Sequence, residues 1–387
     1  MKTQQTAFPY PFYFWQVAVY ALAGLLTSLY LAYAHYKNHT DLAFSSFCAI
    51  TQAINCDTVA QNPWSIFWGL PLALWGLFVY ALFLVLLIPL KQLDKKRVPG
   101  WSLITALALV ASGFSIYLAA LSAIRIHSWC VLCVMTYAVN FLLAFSSWVT
   151  FRRFSKVRFF STLPTAFNVL AHIAPVRWSI ALLIALLIAG RFFIPTYWLQ
   201  DVDPISAKVA TGITNEGNPW IGAETPQFVI EEFTDYQCFQ CRKVHFYLRQ
   251  LINQHPDRIR LVHRHYPLDH EFNRIIAPDP FHVGSGRLAL VAIVAANHGS
   301  FWVVNDALYQ AAQAKKDSIE IDEFAQLMQI STAQLAAEMF TEITLKHLQH
   351  DMVQGLQHGI TGTPSFVVDG KVYPKALPPD LLEKMIK

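Results

Sequence analysis

The sequence predicts a membrane bundle of four α-helices plus a fifth spanning helix, joined to a water-soluble α/β domain. Three observations carry that reading. Long uncharged runs crowd residues 1–198, residues 199–387 have the mixed charge of a soluble domain, and a strand-like stretch runs directly into the C-x-x-C motif at 238–241. At 387 residues, 55% hydrophobic and 14% charged, the chain is too apolar for one soluble domain. Its net charge of +4 is small, and its basic residues are tied to membrane flanks, which argues against a nucleic acid partner.

Five runs, near 14–36, 66–90, 101–124, 129–150 and 178–198, are long enough to cross a hydrocarbon layer of ~30 Å. The first exceeds the roughly 7–15 apolar residues of a cleaved signal peptide and reads as a retained helix. Orientation follows from Lys and Arg in the short connections. Lys91, Lys95, Lys96 and Arg97 mark one cytoplasmic loop, and Arg152, Arg153, Lys156, Arg158 and Arg177 mark the other. The N-terminus is then inside, while loop 37–65, the turn at 125–128 and everything after 199 face the exoplasmic side. The expected organisation is a four-helix domain at 10–150, a basic connection at 151–177, the fifth helix at 178–198, a linker at 199–225 and a soluble domain at 226–387.

On this topology the six cysteines form three close pairs, all exoplasmic: Cys48 and Cys56, Cys130 and Cys133, Cys238 and Cys241. Disulfides persist on that side of a membrane. Two bland readings compete with catalysis. Cys130, Cys133, Cys238 and Cys241 would make a zinc tetrathiolate, but zinc knuckles pair two soluble loops and one pair here lies at a membrane boundary. Structural disulfides are the other alternative, and for Cys48 and Cys56 it stays open. A C-x-x-C ring is short and labile, which favours redox exchange at the other two pairs, and no metal is expected.

In the soluble half, Gln227–Tyr236 reads as a buried strand and Cys238-Phe-Gln-Cys241 opens an amphipathic helix through Gln254. Free N–H groups at the helix start lower the pKa of Cys238, the attacking thiol, and Cys241 resolves the mixed disulfide. Downstream, Gly362-Thr-Pro-Ser-Phe-Val-Val-Asp-Gly370 sets Pro364 before a strand that ends in an Asp-Gly turn. This order resembles the thioredoxin fold, which implies a cis Pro364 beside the active cysteines. The helical stretch Val291 to about Met352, Arg264-His-Tyr-Pro-Leu-Asp269 and Gly299-Ser-Phe-Trp302 are similar to the DsbA-like branch. Two departures stand out: Phe239-Gln240 replaces the Pro-His of strong oxidants, and Phe272-Asn273 stands where relatives fused to membrane domains often carry a Cys-Asn. His263, His265 and His270 read as solvated or structural, since exchange needs no dedicated base once the thiolate has formed.

The membrane half carries Cys48-x7-Cys56, Cys56-Asp57 leading to Trp64-Ser65, Gly69-Leu-Pro-Leu-Ala-Leu-Trp-Gly76 and Trp129-Cys-Val-Leu-Cys-Val-Met-Thr-Tyr137. Together, over roughly 10–150, these resemble the vitamin K epoxide reductase family. Bacterial members fused to a thioredoxin-like domain are similar in arrangement, and the resemblance implies a quinone-dependent oxidoreductase that makes disulfides in exported proteins. The implied electron path runs from Cys238/Cys241 to Cys48/Cys56, then to Cys130/Cys133 and a quinone, ubiquinone or menaquinone. Cys133 lies one turn deeper than Cys130 and is assigned to the quinone; Tyr137, four residues on, shares its face and is the expected hydrogen-bond donor. Ser65 is a second quinone contact or, equally, a helix N-cap. Arg125 and His127, just before the pair, are candidates to favour the Cys130 thiolate electrostatically, with snorkelling the preferred reading for Arg125 and also for Arg191, and Trp68 and Trp75 read as packing or belt residues. The expected partners are reduced exported proteins, membrane quinone and the bilayer, and the expected place is the bacterial inner membrane with the thioredoxin-like domain in the periplasm. Two alternatives stay open: reverse flow, in which the soluble domain drives reduction of a vitamin K quinone or epoxide, and a tethered chaperone whose disulfides are structural.

Overall fold

The computed structural model describes residues 8–387 except 43, 51–52, 95–96, 156, 200–204, 206–208 and 313–319. Lys95, Lys96 and Lys156, used above for orientation, and part of the 199–225 linker lie outside the described residues. Two compact units form: Met1–Asn38 with Ser45–Trp198, and His39–Phe44 with Leu199–Lys387.

Among the described residues, the first unit contains five helices long and apolar enough to cross a membrane. These are α1 (Tyr10–Thr40), α3 (Leu72–Leu87), α4 (Gly100–Leu121), α5 (Val131–Phe154) and α7 (Ala174–Phe193), with the short α2 (Cys56–Gln61) between α1 and α3. The second span starts at Leu72, later than the apolar run suggests. Residues 66–71 instead form a small hairpin of β1 (Ile66–Phe67) and β2 (Leu70–Pro71), whose turn holds Trp68 and Gly69 at φ +51° and +71°. A positive φ at two successive residues halts the helix, and glycine adopts one of them without strain. Pro175 opens α7, and Pro195 follows its end. The connection at 151–177 is not a plain loop: α6 (Phe159–Ala171) lies within it and packs against α4.

Lipid tails are as apolar as leucine, so these helices associate through close packing and polar ties more than through water exclusion. Glycines allow that approach. A Cβ at Gly24 on α1 would fall 2.2 Å from the Tyr80 ring of α3, and one at Gly76 on α3 would fall 2.6 Å from Ser28 Oγ of α1. Tyr80 then donates to Asn140 Oδ1 of α5 at 2.9 Å, and Asn140 Nδ2 donates to Ser115 Oγ of α4 at 2.9 Å. At the other end of the bundle Tyr10 donates to the Leu90 carbonyl and accepts from Trp101 Nε1 at 3.2 Å. Phe83, Trp101, Ile104, Leu143 and Phe151 fill the apolar interior.

The second unit is built on a six-stranded sheet in the order β3 (Ala210–Ile213), β4 (Pro219–Gly222), β6 (Ile259–His265), β5 (Phe228–Thr234), β7 (Ser365–Val368) and β8 (Lys371–Pro374). The β5–β6 pair is parallel and the other pairs are antiparallel. A parallel pair needs a crossover, supplied by α8 (Phe239–Gln254). Between β6 and β7 lies the helical segment α9 (Ser285–Asn297), α10 (Phe301–Ala312), α11 (Asp322–Leu327), α12 (Thr332–Met339) and α13 (Glu342–Gln357), and α14 (Pro379–Ile386) closes the chain. The core of this unit joins Ile230 and Leu261 of the sheet to Leu290, Val291 and Val294 of α9.

Candidate active site

Strand β5 ends at Thr234, the chain turns through Asp235–Gln237, and Cys238 caps α8 in an extended conformation. Its Sγ accepts a hydrogen bond from Cys241 N at 3.2 Å and lies 3.6 Å from the Thr363 carbonyl oxygen, next to the cis Thr363–Pro364 bond. The sequence-predicted Cys238, Cys241 and Pro364 thus meet at one point. Cys238 is 8% exposed and Cys241 fully buried, so an incoming thiol reaches the first. Burial alone would raise both thiols. For Cys238 the contact with Cys241, the nearby His282 and the Cys241 N–H outweigh it, and its pKa lies below the ordinary value. For Cys241 burial and the neighbouring sulfur act together, and its pKa is pushed well up. Such a pair suits one cysteine to act as nucleophile and leaving group and the other to resolve a mixed disulfide.

His263 and His265 are buried on β6, among Tyr236, His245 and Phe301. Burial pushes both well below the ordinary imidazole value, and that of His245 to about 3. These rings are neutral packing elements, so the structural reading holds for them and the solvated one does not. His270 Nδ1 is 3.0 Å from the Ala277 carbonyl oxygen.

In the membrane unit a second constellation forms where loop 45–65 meets the start of α5. Cys48 and Cys56 are joined in a disulfide, with Cα atoms 5.6 Å apart. The loop is zipped to the residue before Cys130: Asn55 N donates to the Trp129 carbonyl at 2.9 Å and Trp129 N to the Ala53 carbonyl at 2.8 Å. That pairing brings Cys48, Cys56 and Cys130 into one buried cluster with Leu31, Val59, Leu132 and Cys133. The buried Asp57 holds the loop from behind, accepting from Asn38 Nδ2 and Ser46 N at 2.9 Å each, and Asn55 caps α2 through Asp57 N and Thr58 N. Cys130 caps α5, its Sγ accepting from Cys133 N at 3.2 Å. Arg125 and His127 are exposed in the turn before it.

Next to this cluster the helices line a half-open cavity of about 470 Å³. Cys56, Cys130 and Cys133 line one end, and Tyr137, Ser65 and Asn140 are among the polar groups around it. Ser65 does not cap a helix. It closes the 3₁₀ turn Pro63–Ser65, and its Oγ lies 3.2 Å from His35 Nε2, whose Nδ1 lies 2.9 Å from the Tyr197 hydroxyl. Trp75 also lines the cavity and donates to the Phe67 carbonyl at 2.9 Å, whereas Trp68 is 81% exposed. Arg191 lies over Gly69 at the hairpin turn, where a Cβ would come within 2.6 Å of its Nε.

Sequence reasoning missed His35, Asn140 and Tyr80 in the membrane unit and Asp235 with His282 in the soluble one. Polar side chains inside apolar spans were the available signal for the first three, since lipid penalises them unless they are used.

Residues 15–148 match the model of the vitamin K epoxide reductase family, and residues 214–387 match a thioredoxin family model. The chain joins a vitamin K epoxide reductase family domain to a thioredoxin domain. It is a thiol–disulfide oxidoreductase of a membrane. Among solved structures, the thioredoxin domain is similar to a thioredoxin-like oxidoreductase from Silicibacter pomeroyi, at 24% identity over 45% of this chain and 91% of that one, TM-score 0.36. DsbA2 of Pseudomonas aeruginosa matches at 20% identity over 43% and 91%, TM-score 0.34, and BdbD of Bacillus subtilis at 18% over 45% and 95%, TM-score 0.36. In the vitamin K epoxide reductase domain, the four cysteines and the cavity fall inside the matched residues.

Proposed function

We propose that this chain is a quinone-dependent oxidase that forms disulfides in exported proteins at the periplasmic face of a bacterial inner membrane. The observation that carries the reading is the cavity whose one end is lined by Cys56, Cys130 and Cys133 and whose wall carries Tyr137 and Ser65. Its volume, apolar walls and few polar groups suit a quinone ring, ubiquinone or menaquinone. When bound, the quinone supplies a two-electron, two-proton acceptor.

The protein's own sulfurs perform the rest. A thiolate of a reduced client attacks Cys238 Sγ of the Cys238–Cys241 disulfide and Cys241 leaves; the second client thiolate then attacks the client sulfur, releasing an oxidised client and a dithiol domain. Cys238 attacks Cys48, expelling Cys56, and Cys241 resolves the mixed disulfide. Cys56 attacks Cys130, expelling Cys133 as a thiolate on the cavity side, and Cys48 closes on Cys56. Each exchange moves two electrons and conserves one disulfide. Tyr137 and Ser65, which line the cavity, would hold a quinone by donating hydrogen bonds to it. The basic residues Lys91, Arg97, Arg152, Arg153, Arg158 and Arg177 support a cytoplasmic position for their loops, and with it a periplasmic one for all three cysteine pairs.

The test is quinone-dependent oxidation of a reduced model protein by the purified full-length chain. Cys133→Ala is expected to retain exchange among the remaining thiols and to lose quinone consumption; normal quinone turnover in that variant would overturn the assignment. Redox trapping in cells sets the direction, since an oxidase holds Cys238 mainly as a disulfide at steady state.

A further inference from the structure

Beside its motif the thioredoxin domain holds an ion pair, Asp235 buried and His282 partly buried, to which the exchange steps above assign no role. Asp235, 1% exposed, lies in the turn between β5 and Cys238. Its Oδ1 accepts from Gln237 N at 2.7 Å, and its Oδ2 from Leu268 N at 2.7 Å and Ser285 Oγ at 2.8 Å. Nδ1 of His282 stands 3.1 Å from the same Oδ2, a buried nitrogen in ion-pair range without a well-aligned hydrogen bond. The loop that carries His282 is fixed to the motif by a second tie, from Gln237 Nε2 to the Val283 carbonyl at 2.7 Å, and Cys238 N itself donates to the Asp235 carbonyl at 3.1 Å.

A buried carboxylate next to a sulfur opposes formation of a second negative charge, and low dielectric makes that opposition strong. A cation paired with that carboxylate and acting on the sulfur reverses it. We infer that His282, held as an imidazolium by Asp235, is the positioning charge that keeps Cys238 a thiolate, a task the Phe239-Gln240 dipeptide inside the motif has no charge to perform.

The charged groups acting on His282 come from three places: Asp235 from the turn after β5, Asp269 from the loop after β6 and Cys238 from the start of α8. Burial works against the imidazolium, and these neighbours, Asp235 first, raise it above its ordinary value all the same. The effect is mutual, because Asp235 lies below its ordinary value in spite of burial, with the His282 charge as the largest favourable cause. A stabilised Cys238 thiolate favours the dithiol and makes the disulfide a stronger oxidant. The inference rests on thiol exchange in this domain and is independent of the quinone.

The experiment uses the reduced full-length chain in detergent, alkylated with iodoacetamide between pH 4 and 9, with the rate at Cys238 resolved by peptide mass. Wild type is expected to titrate below the ~8.5 of a free cysteine. His282→Gln keeps a polar group for Asp235 but removes the charge, and should move the midpoint upward by about one pH unit or more, a roughly tenfold slower reaction at pH 6. His282→Arg restores a cation and should regain most of the low-pH rate, which a merely structural histidine would not predict. His282→Asn replaces the glutamine variant if that protein does not fold, and the same rise is required of it. A neutral variant that folds and titrates like wild type, or an arginine variant as slow as the neutral one, would overturn the inference.

Discussion

At the scale of single residues, the chemistry of both units comes from where a sulfur stands on a helix. Cys130 and Cys238 each occupy an N-cap, and each accepts the N–H of the cysteine three residues on. Orphan donors at a helix start are met by that sulfur, so the cap itself favours the thiolate. Around the cavity the polar groups are few, and under the proposed function each would carry a separable share of quinone binding. Tyr137→Phe removes one hydrogen-bond donor, worth ~0.5–1.5 kcal/mol, and should raise KM for quinone about 2- to 10-fold while thiol exchange with the thioredoxin domain is unchanged. Ser65→Ala is expected to act in the same direction. A steady-state titration with quinone checks both, and an unchanged KM in both variants would remove these residues from the site.

At the scale of elements, two devices align the membrane site. One is the pairing of loop 53–55 with Trp129, which fixes Cys56 beside Cys130 through backbone hydrogen bonds and so tolerates a range of side chains. The other is the close approach of α1 to α3 at Gly24 and Gly76. Gly24→Leu would drive a side chain into the Tyr80 ring and displace the hydroxyl that meets Asn140. The expected outcome is a chain with little quinone reduction and a lowered thermal midpoint in detergent, the cost of overpacking being ~1–3 kcal/mol. Gly113, which faces open space, is the control, and Gly113→Leu should leave both unchanged.

At the scale of the whole molecule, the thioredoxin domain buries titratable groups that make its stability depend on pH. His245, His263 and His265 all have folded-state values depressed by burial, below the ~6.5 of an unfolded imidazole. A depressed value means that the unfolded chain binds the proton first, so stability is full above about pH 6.5 and falls as pH drops through the window below it. Glu232 carries the opposite sign: burial raises it well above the usual carboxylate range, and its share of stability is lost as pH rises past the unfolded value. Between pH 7 and pH 5 these histidines, with His347, pull the thermal midpoint down as pH falls, while Glu232, Asp306, Asp351 and His282, all raised, pull it the other way. His265 contributes two buried nitrogens without hydrogen-bond partners. His265→Phe, which keeps a ring and removes both, should therefore hold its midpoint at pH 5, relative to pH 7, higher than wild type does, as scanning calorimetry at the two pH values would measure; an equal change would exclude His265 from the effect.

The sequence by itself determined the helical membrane half, the strand–cysteine–helix order of the soluble half and the grouping of six cysteines in three pairs. Hydrophobic period, run length and cysteine spacing are local properties, written in adjacent residues. Ser65 was legible only as one of two alternatives, because a serine before a helix has the same local pattern whether it caps or faces a cavity. The start of α3 was misplaced because the residues of the 66–71 hairpin are as apolar as the helix that follows. What only the tertiary structure decided were the meetings between distant segments: Ser65 with His35, Tyr80 with Asn140, Trp129 with Ala53 and Asn55, and Asp235 with His282. No local period encodes such pairs. They arise when helices and strands pack, and buried polar groups from remote parts of the chain must then satisfy one another.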